Sequence, residues 1–191
     1  MSKKTIGFIG AGNMASALIK GLLKSELYGE DQLAASDKDS EKLKSVSEQF
    51  GSKDYPSNMD LVRESSIIVL AVKPFIIRDV LEEIKDYLRD DHLIISIAAG
   101  IPLRMIHSII ERDMPLIRVM PNTPALIQQG VSALAAGKMA TPEHMETARE
   151  IFEAVGKSVV VTEEMMDAVT AVSGSGPGYV FRIMESFVEA G

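Results

Sequence analysis

The stretch that most constrains this chain is Thr5-Ile6-Gly7-Phe8-Ile9-Gly10-Ala11-Gly12-Asn13-Met14-Ala15. A short apolar run enters a glycine turn with no polar spacer. Met14, Ala17, Leu18, Gly21 and Leu22 then recur at helical spacing. A strand that passes straight into a helix pairs next with a parallel strand reached by a right-handed crossover. The rest of the chain is therefore expected to build a sheet around this start.

The chain keeps that promise in order. Gln32 to Ser36 reads as a second strand closing on Asp37. Leu43, Val46 and Phe50 mark a helix stopped by Gly51. Ser66 to Val72 is a continuous apolar run, as strands buried on both faces are, and His92 to Ala98 reads as the next buried strand. Between them Ile77, Val80, Leu81, Ile84 and Leu88 make an amphipathic helix. Pro102 suits the first position of a helix carrying Leu103, Ile106 and Ile110. Leu116 to Met120, Val131 to Ala136 and Ser158 to Val161 read as further strands. Thr141 is the expected N-cap, Pro142 the first residue and Gly156 the C′ residue of the helix between the last two.

After Thr162 the pattern changes. Met165, Val169 and Val172 suggest a helix, Ser173-Gly174-Ser175-Gly176-Pro177-Gly178 breaks it, and Val180 to Val188 suggest another with a broad apolar stripe. The expectation is an α/β, doubly wound, mostly parallel sheet over residues 1–162, and the start of a helical unit over 163–191.

Composition narrows the partners. Twenty Lys and Arg against 27 Asp and Glu leave a net charge of −7, which argues against nucleic acid and anionic membranes. Zero cysteines exclude disulfides and thiolate chemistry. No apolar run approaches a membrane span, and Met1-Ser2-Lys3-Lys4 is not followed by a leader-like apolar stretch. The expected address is the cytoplasm.

Gly10-Ala11-Gly12-Asn13-Met14-Ala15 is a G-x-G-x-x-A pattern in the strand–turn–helix setting that dinucleotide binding requires. Ile9 ends the strand and Gly10 permits the turn. Gly12 lets a pyrophosphate approach the backbone, and Ala15 allows close helix packing. Asp37 follows Ala15 by 22 residues, at the end of the next strand, where a ribose-binding residue belongs. A carboxylate there favours NAD, whereas Ser36 and Lys38 beside it suit a 2′-phosphate, so these residues alone leave NADPH and NADH open.

Ligands of such sheets lie beyond the carboxyl ends of the strands. Those ends carry Ala71-Val72-Lys73-Pro74, Ala98-Ala99-Gly100 and Met120-Pro121-Asn122-Thr123-Pro124, with Asn58 ahead of the Ser66 run. Small residues let a nicotinamide ring lie close. Lys73 reads as a ligand contact ahead of a surface charge, and Asn122 equally as a ligand contact or as a turn former bonding its own backbone. Ser173 to Gly178 offers amides to a carboxylate or serves as a hinge. His92, His107 and His144 are scattered without ligand spacing, so no metal is expected. The absence of a strong acid–base pair favours hydride transfer, whose chemistry the cofactor carries.

Five stretches together resemble the pyrroline-5-carboxylate reductase family over essentially the whole chain. They are 6–15, 71–74, 96–100, 118–124 and 171–177. The resemblance implies a Rossmann domain followed by a helical dimerisation domain. It implies reduction of 1-pyrroline-5-carboxylate to L-proline with NADPH, NADH being the alternative. It carries cofactor contacts onto Ile9 to Ala15, Ser36 to Lys38, Asn58, Ala71 to Pro74 and Ala98 to Gly100. It carries substrate contacts onto Met120 to Thr123 and Ser173 to Gly176. Self-association through the C-terminal helices is the implied partnership. Gly178 departs from the family's usual Ala. The family's catalytically implicated Thr lies beyond Gly191, so no catalytic residue is assigned, and a shortened chain that binds cofactor without turnover is one expectation. A related β-hydroxyacid-type dehydrogenase is a second enzyme reading, weakened because no lysine follows Lys157. A nicotinamide-nucleotide-binding assembly protein is the non-enzymatic one.

Overall fold

The computed structural model describes residues 4–191. Residues 1–3, on which part of the leader expectation rests, lie outside the described residues. Eight strands form one sheet: β1 (Ile6–Ile9), β2 (Leu33–Ser36), β3 (Lys53–Asp54), β4 (Ile67–Leu70), β5 (Leu93–Ser96), β6 (Leu116–Met120), β7 (Gly130–Ala136) and β8 (Gly156–Val160). Their spatial order is β3-β2-β1-β4-β5-β6-β7-β8. Pairs β1–β2, β1–β4, β2–β3, β4–β5, β5–β6 and β7–β8 are parallel, and β6–β7 is antiparallel.

The apolar runs behave as two-sided strands. Ile67, Val69, Leu93 and Ile95 enter a core shared with α1 (Asn13–Lys24), α2 (Ser40–Phe50) and α6 (Pro142–Glu153). Ile68, Leu70 and Ile94 point the other way. They meet α3 (Asn58–Glu64), α4 (Ile77–Ile84) and α5 (Leu103–Ile110). Successive side chains go to opposite faces, so a strand covered on both sides needs no polar alternation. Gly21 on α1 allows α6 to close in; a Cβ there would stand 2.6 Å from the Ala154 carbonyl oxygen.

Several expectations need correction. Residues 51–65 carry β3 and α3, which were not anticipated. Two exposed strand residues give no periodicity, and α3 is a short helix capped by Ser57 accepting the Asp60 N–H. The strand after β6 returns antiparallel because the connection is only a short 3₁₀ segment, Thr123–Ile127, with no crossover helix. Gly156 does not end α6. That helix stops at Glu153, and Gly156 opens β8 at φ +150, where a Cβ would meet Gly130. Pro102 stands in extended conformation one residue ahead of α5.

The Ser173–Gly178 stretch does not break the chain's helical path. α7 (Met166–Val169) widens into a π-turn over Thr170–Gly174 and continues as α8 (Gly176–Ala190). The Ser175 N–H and hydroxyl both donate to the Thr170 carbonyl. Among the described residues no helix is long and apolar enough to cross a membrane.

Candidate active site: a cofactor cleft with a substrate edge

The sheet reverses its order at β1. The chain runs from β1 to β2 on one side and to β4 on the other, which makes the crevice beyond their carboxyl ends a ligand site. A cleft of about 640 Å³ lies there. Ile9, Gly10, Gly12, Asn13 and Met14 form its floor. Ser36, Asp37, Lys38 and Asn58 form one end, and Ala71, Val72, Lys73, Pro74, Ala98, Ala99 and Thr123 the other walls.

The turn after β1 is built for close approach. Gly10 has φ +105, and a Cβ on it would lie 2.7 Å from the Ala71 carbonyl oxygen. Gly12 differs: a Cβ there meets nothing within 4 Å, so the space above it belongs to the cleft. No side chain caps α1, and its first turn has no acidic residue. By contrast Asp39, Ser57 and Thr141 cap α2, α3 and α6. The amide end of α1 therefore faces the cleft with its donors unspent and its dipole favouring an anion. These features fit a dinucleotide pyrophosphate.

The β2 end is a hydrogen-bonded assembly. Asp37 Oδ2 accepts the Ala11 N–H at 2.8 Å and Oδ1 accepts the Asp39 N–H at 2.9 Å. The buried Ser36 hydroxyl donates to Asn58 Oδ1 at 2.7 Å, and Asn58 Nδ2 donates to Glu83 Oε2 at 3.0 Å. Asn58, the first residue of α3, is thereby fixed as an inward-facing amide.

Three cofactor residues expected from the sequence do not line the cleft. Ala11 is buried and contributes its N–H to Asp37, Ala15 is buried beneath the turn, and Gly100 lies just outside at φ +73. Sequence reasoning missed Lys42, Ile76, Val80, Ile97 and Leu126, which do line it. Val80 belongs to an apolar helix stripe that also makes core, so no pattern separates its two uses. Lys42 sits one helical turn beyond the cap residue Asp39, a position visible only once α2 is placed.

At the substrate edge, Asn122 bridges two elements. Its Oδ1 accepts the Val131 N–H at 2.9 Å, and its Nδ2 donates to Ser173 Oγ at 3.2 Å. Gly174 abuts the Met120 side chain. The structure thus brings Met120 and Asn122 to Ser173 and Gly174, while Pro121 is buried and Thr123 faces the cleft. Ser175 spends its hydroxyl on the π-turn, and Gly176 borders open space. Beneath this edge the nearly buried Arg118 on β6 pairs with Asp167 at 3.0 Å and Glu163 at 3.7 Å. Glu163 also accepts the Leu103 N–H.

The histidines lie elsewhere. His92 is buried and pushed down to about 4, by desolvation first and by Arg89 second. His107 pairs with Asp113, and His144 completes the α6 cap. No cluster able to hold a metal occurs among the described residues.

Residues 5–100 match the family model "NADP oxidoreductase coenzyme F420-dependent", and residues 163–191 match "Pyrroline-5-carboxylate reductase dimerisation". Pyrroline-5-carboxylate reductase of Methanosarcina acetivorans is 42% identical over 189 residues, covering 99% of this chain and 70% of the relative. That of Escherichia coli K12 is 37% identical over 188 residues, covering 98% and 70%. The chain belongs to the pyrroline-5-carboxylate reductase family. It is an NAD(P)H-dependent oxidoreductase.

Solved structures of the same family agree. The Coxiella burnetii reductase superposes with a TM-score of 0.90 at 34% identity, covering 98% of this chain and 70% of that one. The Plasmodium falciparum pyrroline carboxylate reductase, solved with NADP bound, gives 0.88 at 32% identity, covering 100% and 70%. Prephenate dehydrogenase of Aquifex aeolicus, at 15% identity and a TM-score of 0.75, shares the fold alone.

Proposed function

We infer that this chain performs the reaction its family is named for, reduction of 1-pyrroline-5-carboxylate to L-proline, with the cleft described above holding NADPH and NADH as the alternative. The observation that carries the assignment is the uncapped amide end of α1 facing a cleft above Gly12, in a chain matched over almost its whole length by reductases of this family.

NAD(P)H supplies the hydride that adds to the imine carbon. The chain's own residues bind and orient. Amides at the start of α1 hold the pyrophosphate, with Gly10 and Gly12 leaving room for it. Asn58, fixed by Ser36 and Glu83, presents its amide at the adenosine end. The small residues Ala98 and Ala99 let the ring lie against the backbone, and Val72 and Pro74 form the opposite wall. Asn122, Thr123, Ser173 and Gly174 orient the substrate. Its nitrogen takes up a proton as the carbon accepts hydride, so the ring gains both hydrogens. Holding two reactants in one geometry supplies most of the acceleration.

The division into a nucleotide-binding unit over 1–162 and a helical unit from 163 belongs to the same proposal. So does homo-oligomerisation through α8, where Val180, Phe181, Ile183, Met184, Phe187 and Val188 are all exposed. A cytoplasmic location, where metabolism regenerates the reduced cofactor, completes it. The test is oxidation of NADPH followed by its near-ultraviolet absorbance. Turnover must require 1-pyrroline-5-carboxylate, and proline must accumulate in equal amount. A flat trace from folded, NADPH-binding protein overturns the assignment.

A further inference from the structure

We propose that Lys42, on the first turn of α2, selects NADPH over NADH by exchanging its ion pair with Asp39 for the 2′-phosphate of the cofactor. This rests on the cofactor assignment above and adds to it a residue that the comparisons do not mark.

The β2 end of the cleft is where the adenosine ribose belongs, but Ser36 and Asp37 offer a 2′-phosphate no free donor. Ser36 is buried and its hydroxyl proton goes to Asn58. Asp37 is an anion whose two oxygens accept the Ala11 and Asp39 main-chain N–H groups. Both Asp37 and Asp39 repel a dianion, so a phosphate bound here requires cations that outweigh them. Lys38 and Lys42 line this end of the cleft. Lys73 also lines the cleft, but it follows β4, two strands from β2, at a separation of about 10 Å.

Lys42 stands in an ion pair that it can exchange. Its ammonium lies 2.9 Å from Asp39 Oδ2, in a pair whose side chains are 61% and 42% exposed. A pair so exposed is weak and exchanges readily for a more highly charged partner. Asp39 does not depend on it. The other carboxylate oxygen, Oδ1, caps α2 through the Glu41 and Lys42 N–H groups, so the helix start survives when the ammonium leaves. Hydrogen bonding to Asp39 first, and the charge of Asp37 further down, raise the Lys42 pKa, and a lysine that leaves that pair is still cationic at neutral pH. Lys42 is exposed on a surface helix, and its replacement leaves the core untouched.

The experiment is calorimetric titration with two probes, adenosine 2′,5′-bisphosphate and adenosine 5′-monophosphate. They differ only in the phosphate at issue. Wild type should prefer the bisphosphate. Lys42→Ala should weaken the bisphosphate about tenfold while the monophosphate stays within about twofold, the size of one lost charge-assisted contact. Lys42→Arg should restore the preference. The salt dependence of bisphosphate binding should flatten in Lys42→Ala. Equal affinity of wild type for the two probes overturns the proposal. So does an unchanged bisphosphate affinity in Lys42→Ala, or an equal loss for both probes. Failure of the reductase assignment looks different. Turnover with 1-pyrroline-5-carboxylate would be absent while the Lys42-dependent preference remained.

Discussion

The Asp37 carboxylate accepts the Ala11 main-chain N–H at 2.8 Å, tying the end of β2 to the turn after β1. The residue that the sequence marks as a ribose contact is therefore also a strut of the glycine turn. Asp37→Ala removes two charge-assisted hydrogen bonds from partly buried amides. It should lower the unfolding free energy by about 2 kcal/mol, read from urea denaturation. It should also weaken NADH more than NADPH, because the lost carboxylate accepts from a ribose hydroxyl but repels a phosphate. Equal thermal shifts with both cofactors in the variant would sink that second role.

Gly10 and Gly12 fail for different reasons when changed to Ala. Gly10→Ala forces a side chain into φ +105 and toward the Ala71 carbonyl, so the folded protein itself should lose about 3 kcal/mol. Gly12 has ordinary extended backbone, φ −81 and ψ −177, and free space above it. Gly12→Ala should change stability by less than about 1 kcal/mol yet weaken NADPH at least about tenfold, because the methyl occupies the pyrophosphate's approach. Thermal melts with and without cofactor separate the two.

His92 makes stability depend on pH. Buried and neutral in the fold, it titrates near 4 rather than 6.5, first through desolvation and then through Arg89. Its Nδ1 accepts the Arg89 N–H, so the neutral ring carries its proton on Nε2. A depressed folded pKa means the unfolded chain binds the proton more tightly. The contribution is complete above about pH 6.5 and is lost as pH falls toward 4, amounting to about 3 kcal/mol. Urea denaturation at stepped pH should show that decline, and His92→Gln should flatten it. An unchanged slope in His92→Gln assigns the decline to carboxylates instead.

Arg118 joins the sheet to the segment that follows it. Its side chain is 5% exposed on β6 and meets Glu163 and Asp167, while Glu163 also receives the Leu103 N–H. Arg118→Met should cost about 2 kcal/mol, less than a fully enclosed pair because Asp167 is 85% exposed. Hydrogen exchange should rise in 163–174 and remain unchanged in β1 and β4. Through the Asn122–Ser173 contact, KM for the imine should rise more than KM for NADPH. Equal exchange throughout the sheet would contradict this local role.

What the sequence made legible follows from repetition. Ile67–Leu70 and Leu93–Ile95 announce buried parallel strands because their residues are all apolar, and Gly10 announces the turn because its φ of +105 suits glycine. Asp37, Asn58, Lys73 and Asn122 all reach the site or its edge. What stayed hidden depends on contacts across the chain. β3 is two exposed residues held by Ala34 and Ala35 of β2, so it has no pattern of its own. Gly156 reads as a helix stop but exists for its contact with Gly130. Ser173 to Gly178 has the composition of a breaker, and yet the Ser175 hydroxyl and N–H satisfy a widened helical turn.

α8 has no buried residue along its whole length, although Val180, Phe181, Met184, Phe187 and Val188 are all apolar. Burial of one such side chain is worth about 2 kcal/mol, so this face gains most from a second apolar surface. Under the proposed self-association, Met184→Glu with Val188→Glu should convert the oligomer to a smaller species by light scattering. The cofactor cleft lies on other elements and should bind NADPH as before. Core stability should hold as well, since neither side chain packs into the sheet. An unchanged mass in the double variant would place the self-association surface elsewhere on the chain.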